Sequence, residues 1–212
     1  MSVLPISWFL LAPLVLLGFF NWDLTMLSSA LLIGVGVSIT LVVDLPKVSY
    51  YQAFLLFIIT ELCLFLAFLH SSSWFFSGDW QSISDSLEIP FVGCFLLLGS
   101  SIPITGFHHI LCWSYSYLFL VHTALLGTGS VFLQVLEFSE ASANFNWNWF
   151  YGACLSTVGL HFTHVFIGVS LMLGLLVITP PRGGFYYCTL LTWYWHFVDY
   201  IWLLVYALVY IC

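Results

Sequence analysis

Charge is nearly absent from this sequence, and cations most of all. Its 212 residues include two Lys or Arg and nine Asp or Glu. Charged residues make up 5%, against about 25% in an average soluble domain. So few ionic groups exclude a globular surface wetted on all sides. The formal net charge of −7 excludes nucleic acid as a partner, because phosphate binding draws on basic patches. No Lys or Arg precedes Lys47, so the Arg-rich amphipathic start of a transit peptide is lacking and no cleavable targeting segment is expected. No C-x-x-C spacing occurs either. The six cysteines, Cys63, Cys94, Cys112, Cys154, Cys188 and Cys212, are scattered along the chain, and they read as small apolar core residues rather than disulfide or metal partners.

What is abundant is apolar. Hydrophobic residues reach 62%, and a bilayer needs about 20 consecutive apolar residues for each helical span. Residues 1–22, 24–43, 89–136 and 141–181 are free of charge, long enough for one or two spans apiece. Clusters of Pro, Gly, Asn, Asp and Ser punctuate these runs, since those residues supply turns and stop helices. They cut the chain into seven expected spans near 4–20, 24–43, 48–70, 89–109, 113–137, 149–178 and 185–211. Polar stretches at 71–88 and 141–148 and a turn at 180–184 separate the later ones. The expected fold class is an all-α membrane protein. Seven spans place Lys47 and Arg182 on the side of the N-terminus, and Asp23, Asp79, Asp85, Glu88, Glu137 and Glu140 on the other. Cations collect on the cytoplasmic or matrix side of membranes, so the N-terminus is expected there.

An ionisable side chain inside a span costs roughly 2.5–3.5 kcal/mol on insertion scales, so each one needs a reason. Glu61 lies 13 residues past Val48, about 20 Å into the third span. A carboxyl at that depth is expected to be protonated or paired with a donor, and the candidate donors at similar depth lie on the sixth and seventh spans. His161 and His164 sit at i, i+3 in the sixth span, and His196 and Asp199 repeat that spacing in the seventh. The residues alone leave three readings open. One is a bis-His haem held by His161 and His196. Another is a proton pathway or transport site through Glu61, Asp199 and the histidines. The third is a structural network of Glu61, His161, His164, His196 and Asp199 that pairs helices. Small residues Gly152, Ser156, Gly159, Gly168 and Gly174 in the sixth span are expected to let a neighbouring helix approach closely.

Several stretches carry a resemblance to a known family. Residues 192–206 read TWYWHFVDYIWLLVY. This resembles the last helix of cytochrome c oxidase subunit III, marked by W-Y-W-H-F-V-D. Further matches follow in the family's order. LFIITELCLFLAFLH at 56–70 resembles the segment with the buried Glu (Glu61) and its His-Ser-Ser exit (His70). LEIP at 87–90 and ITGFHH at 104–109 resemble the entry and exit of the fourth helix. LQVLEFSEA at 133–141 resembles Q-x-x-E-x-x-E-A, giving Gln134, Glu137 and Glu140, and GLHFTHVFIG at 159–168 resembles the segment with the His pair, whose second member, His164, the resemblance implies as the partner of Glu61, with His161 next. Departures are visible as well. Glu61 and His70 stand about one turn closer than the family pattern has them. Cys188-Thr189-Leu190 replaces the family's F-E-A, and Ile178 replaces its Arg, with Arg182 nearby.

The resemblance implies seven transmembrane helices, with helices 1–2 splayed from a bundle of helices 3–7 and phospholipid in the cleft between. It implies a single transmembrane domain over 1–212, with 1–43 as the two-helix arm and 48–212 as the bundle. It implies a subunit of a proton-translocating oxidoreductase complex that has no catalytic centre and no metal of its own, haem and copper residing in partner subunits. Subunit I is the implied main partner, to be stabilised and kept competent in proton uptake. His70, His108, His109 and Arg182 are the implied lipid-headgroup or interface residues, and Gln134, Glu137 and Glu140 an acidic surface motif. The implied setting is the mitochondrial inner membrane, with the C-terminus towards the intermembrane space and the chain encoded in the organelle.

Overall fold

The computed structural model describes residues 29, 33, 51–76, 83–113, 115–141, 148–178 and 180–211, without the side chains of 178 and 180–184. The chain divides into two compact units, Met1–Ser49 and Tyr50–Cys212. Of the first unit, Ser29 and Ile33 are described; both are helical and exposed. The first two expected spans otherwise lie outside the described residues, as does Lys47.

The second unit is built from helices alone among the described residues: α1 (Tyr51–Phe75), α2 (Ile89–His109), α3 (Ser116–Glu140), α4 (Trp149–Ile178) and α5 (Pro180–Val205), the last continued as a π-helix over Tyr206–Ile211. They correspond to the third to seventh expected spans. Five stretches within them are long and apolar enough to cross a membrane. Burial ranks them: half of the most apolar α5 window is buried, against 11% for α1. The aromatic C-terminal helix is therefore the centre of this unit and α1 its edge.

Contacts fix the directions. Phe75 at the end of α1 stacks on Trp149 at the start of α4. His108 at the end of α2 meets Thr189 early in α5. Glu137 near the end of α3 meets Tyr210 at the end of the chain. So α1 opposes α4, α2 opposes α5, and α3 runs parallel to α5, as short connections between successive spans require.

Two tryptophans fill the centre. Trp195 is fully buried, and its indole N–H donates to Ser100 Oγ at 2.7 Å. Helices close on this ring because they carry glycine there. A Cβ at Gly127 or Gly168 would stand 2.8 Å from Trp195 ring atoms. The small-residue stripe of α4 is thus used unevenly: Gly168 makes the close approach, whereas a Cβ at Gly159 or Gly174 would meet nothing within 4 Å. Trp202 lies one layer further along α5, 1% exposed, with its ring 4.8 Å from that of His161.

The π-helical end of α5 follows from the same packing. In an α-helix, residues four apart drift forward by about 40° at 3.6 residues per turn. The wider i→i+5 winding of a π-helix takes more residues per turn and cancels that drift. Trp202, Tyr206 and Tyr210 therefore stay on one face, Tyr210 lying 6.2 Å, ring to ring, from each of the other two. A continued α-helix would carry Tyr210 off the bundle.

Boundaries differ from the sequence expectation in three helices, α3 lying at Ser116–Glu140 instead of 113–137. α1 runs on to Phe75, so His70 lies inside the helix, exposed and 6.1 Å from the Trp74 ring. Ser72 and Ser73 allow this by turning their hydroxyls back onto the Leu69 carbonyl. The expected turn at 180–184 is helical instead, because α5 begins at Pro180. Proline is at home in a first helical turn, where its missing N–H has no partner to lose. The cysteines divide too: Cys94, Cys154 and Cys188 are buried as expected, but Cys63 and Cys112 are exposed, and all five are free thiols.

Candidate functional site

Polar side chains inside the unit fall into separate contacts rather than one network. The first joins α1 to α4. His164 Nδ1 lies 2.8 Å from the Leu160 carbonyl, and a carbonyl can only accept. Nδ1 therefore carries hydrogen. His164 Nε2 lies 3.3 Å from Glu61 Oε2. That contact is a hydrogen bond if either Glu61 is protonated and donates, or the imidazole holds a second proton and donates to a carboxylate. Either way one proton lies between the two residues, and the pair is neutral as a whole. Phe65 closes edge-on over the His164 ring at 5.2 Å, and Tyr194 stacks on it while its hydroxyl donates to the His164 carbonyl at 3.1 Å. Side-chain exposure is 9% for His164 and 22% for Glu61, so the carboxyl reaches the outer rim of the α1–α4 seam.

The second contact joins α3, α4 and α5. His161 is fully buried. Its Nε2 faces the Val198 carbonyl at 3.3 Å, so Nε2 carries the hydrogen. Nδ1 is then a lone pair, and the Gln134 amide donates to it at 3.2 Å. This engages both ring nitrogens and fixes a neutral tautomer. The H-x-x-H pair of α4 thus points to different neighbours, His161 to Gln134 and α5, His164 to Glu61 on α1.

The third contact is a reciprocal pair between α2 and α5. Thr105 gives its hydroxyl hydrogen to the Ser101 carbonyl, so at 3.1 Å it can only accept from His196 Nε2. Thr189 likewise donates to the Phe185 carbonyl and accepts from His108 Nε2 at 3.2 Å. Each helix supplies one Thr and one His. His109, at the end of α2, is exposed and packs edge-on to His108.

The fourth sits at the opposite end. Glu137 Oε1 accepts from the Tyr210 hydroxyl at 2.5 Å and from Ser84 Oγ at 3.1 Å, while the Tyr206 hydroxyl donates to the Ser86 carbonyl at 3.0 Å. These bonds tie the segment before α2 and the end of α3 to the π-helix. Replacing Tyr210 with Phe removes one donor from a carboxylate that is 3% exposed. It is expected to cost about 1–3 kcal/mol, as for a buried group that loses its partner, and to lower the detergent-solubilised thermal midpoint, while Tyr200→Phe, on the exposed side of α5, leaves it unchanged.

Two sequence expectations are corrected here. Gln134 and Glu137 are not surface residues: they are 5% and 3% exposed, because His161 and Tyr210 draw them inward. Glu140, one turn further along α3, is exposed. Nor do Glu61, His161, His164, His196 and Asp199 make one network, since His196 and Asp199 stand apart from the α4 histidines. Asp199 is 1% exposed, and neither of its oxygens has a hydrogen-bond partner among the described residues. Arg182 lies in the first turn of α5, and its side chain is outside the description. Tyr210, Tyr206, Ser84, Thr105, Thr189 and Ser100 were missed. Tyr206 and Tyr210, four apart in an apolar helix, were the one available signal.

Comparison with known proteins bears on these features. No protein-family model matches the chain. Curated proteins do. Cytochrome c oxidase subunit 3 of Ornithorhynchus anatinus is 33% identical over 178 residues, covering 74% of this chain and 67% of that protein. The chain belongs to the cytochrome c oxidase subunit 3 family. Subunit 3 of Loxodonta africana is 30% identical over 183 residues, covering 76% and 69%, and that of Myxine glutinosa 29% over 185, covering 79% and 71%. Membership fits a chain without a redox cofactor of its own. Among the described residues no group of three or more His, Cys, Asp or Glu could hold a metal. As a subunit 3, the chain is a multi-pass membrane protein of the respiratory chain that works in a complex with other oxidase subunits.

Proposed function

We propose that this subunit 3 acts as a structural, non-redox member of the terminal oxidase. It packs mainly on subunit I, supports proton uptake there and holds phospholipid, while haem and copper reside in partner subunits. The supporting observation is that Glu61, His161, His164, His196 and Glu137 each hold a contact from one helix to another. His161 uses both ring nitrogens on Gln134 and Val198, so no lone pair remains for iron. That disfavours the bis-His haem reading. Headgroup contacts are assigned to His70, His108, His109 and Arg182, and stabilising roles to Glu61, His164, His196 and Asp199. The chain is read as seven spans in the mitochondrial inner membrane, with 1–43 as a two-helix arm and 48–212 as a bundle. Reconstituted alone in detergent and proteoliposomes, it is expected to show neither a haem absorption band nor solute transport; either would contradict the proposal.

Orientation follows from charge. Lys47 and Arg182 are expected on the matrix face with the N-terminus, and Asp85, Glu88 and Glu140 on the other. Single cysteines placed at 47 and 182, labelled in sealed mitoplasts with a membrane-impermeant thiol reagent, are expected to stay unlabelled until the membrane is opened. Labelling of one but not the other would overturn both the orientation and the span count.

A further inference from the structure

The outer face of α2 and α3 carries a groove of about 480 Å³, lined by Gly99, Ile102, Pro103, Leu118, Phe119 and His122. Most of this lining is apolar, but two polar elements converge in it. Pro103 lies inside α2 and has no N–H, so the carbonyl of Gly99, four residues earlier, loses its helical partner. Gly99 has no side chain to cover that carbonyl; a Cβ there would meet only Leu126 Cδ1, at 3.9 Å. His122, exposed on α3, lines the same groove.

Depth decides what can satisfy these groups. Gly99 lies ten residues before the end of α2 at His109, about 15 Å along the helix axis. His122 lies six residues into α3, which starts at Ser116, about 9 Å along. Both belong within a hydrocarbon layer roughly 30 Å thick. Acyl chains offer no hydrogen-bond donor there, and phospholipid donors stay with the headgroups. A backbone acceptor in hydrocarbon is normally satisfied by protein. A side chain on another transmembrane helix can bring a donor to that depth, and the complex to which a subunit 3 belongs supplies such helices.

We propose that the α2–α3 groove is a docking site for a transmembrane helix of a neighbouring oxidase subunit, which inserts a side chain bearing a hydroxyl, amide or indole N–H donor. The donor bonds the Gly99 carbonyl, with His122 beside it as a second polar contact. Ile102, Leu118 and Phe119 flank the inserted side chain and exclude lipid. The proposal rests on the reading of the chain as an oxidase subunit and adds which face of it is covered.

The test uses the intact oxidase. Gly99→Leu fills the groove while favouring the helix. His122→Phe keeps an aromatic ring of similar size and removes the ring nitrogens. Gly174→Leu, where a Cβ meets nothing within 4 Å, controls for a bulky residue on an outward face. Retention of this chain by the haem–copper subunits through detergent purification is expected to fall about threefold to tenfold for Gly99→Leu and less for His122→Phe, as for loss of an interhelical contact. Gly174→Leu retains its partners. Unchanged retention of Gly99→Leu would overturn the docking site. An electron-density or cryo-EM map of the wild-type oxidase is a second readout that needs no variant. Partner side-chain density reaching the Gly99 carbonyl supports the proposal. A lipid chain, or residues 1–49 of this same chain, filling the groove refutes it, while co-purification of the oxidase would leave the subunit 3 reading standing.

Discussion

Replacing Gly168 with alanine is expected to destabilise the bundle more than any other single-methyl change in α4. The added Cβ would stand 2.8 Å from Trp195 Cε3 and Cζ3. The ring has nowhere to move: it is fully buried, held by Ser100 on α2, and bounded on its other side by Gly127 of α3. Overpacking of this kind costs about 1–3 kcal/mol. The alanine recovers roughly 0.5–1 kcal/mol of helix propensity over glycine, which does not offset it. Gly174→Ala has the same propensity gain and no clash, since nothing lies within 4 Å of its Cβ, so it is expected to be neutral or slightly stabilising. Thermal unfolding of the purified oxidase, followed by dissociation of this subunit, separates the two variants. Equal midpoints would show that Trp195 is not confined as the structure has it.

Glu61 gives the second large effect. Glu61→Ala leaves His164 Nε2 without a partner inside the α1–α4 seam, because Nδ1 remains bound to the Leu160 carbonyl. The expected cost is about 1–3 kcal/mol for a buried group left unsatisfied. Glu61→Gln behaves differently. Its amide N–H donates to the Nε2 lone pair of a neutral His164, so the seam keeps its bond and the variant is expected to lie close to wild type. The shared proton also has a chemical readout. A hydrophobic carbodiimide attacks a protonated carboxyl reached from the lipid, and Glu61 is 22% exposed at the seam's rim. Label is expected on Glu61 and not on Asp85 or Glu88, which are exposed, and it disappears in Glu61→Gln. Modification of the loop carboxylates with Glu61 spared would contradict the one-proton pair.

Local signals in the sequence carried the helices further than they carried the contacts. α2 and α4 begin and end where the sequence expectation put them, at Ile89–His109 and Trp149–Ile178. For α2 the reason is chemical: Pro90 sits in its first turn, and the helix ends just past Gly106. Such punctuation misled at 180–184, since Pro-Pro followed by Gly-Gly marks a turn or a helix start equally well. The Glu61–His164 contact was visible in outline, because a carboxyl deep in a span has few partners and the family resemblance favoured His164 among them, though its tautomer needed the Leu160 carbonyl. Glu137 shows the limit. A polar run at the end of a helix reads as wetted surface, and nothing near it in sequence reveals that Tyr210, 73 residues away, arrives on a π-turn to bury it. Asp199 was placed in a shared network on spacing alone. Spacing sets the face of one helix; what lies across from that face depends on how α5 rotates against its neighbours.

The most direct measurement is mass spectrometry of the complex purified, in mild detergent, from native membranes through a tag on this chain, together with its optical spectrum. The account predicts haem–copper oxidase subunits in fixed ratio with this chain, and a haem signal that leaves with those subunits when this chain is stripped off. Recovery of the chain without oxidase subunits, or a haem signal that remains on the isolated chain, would contradict it.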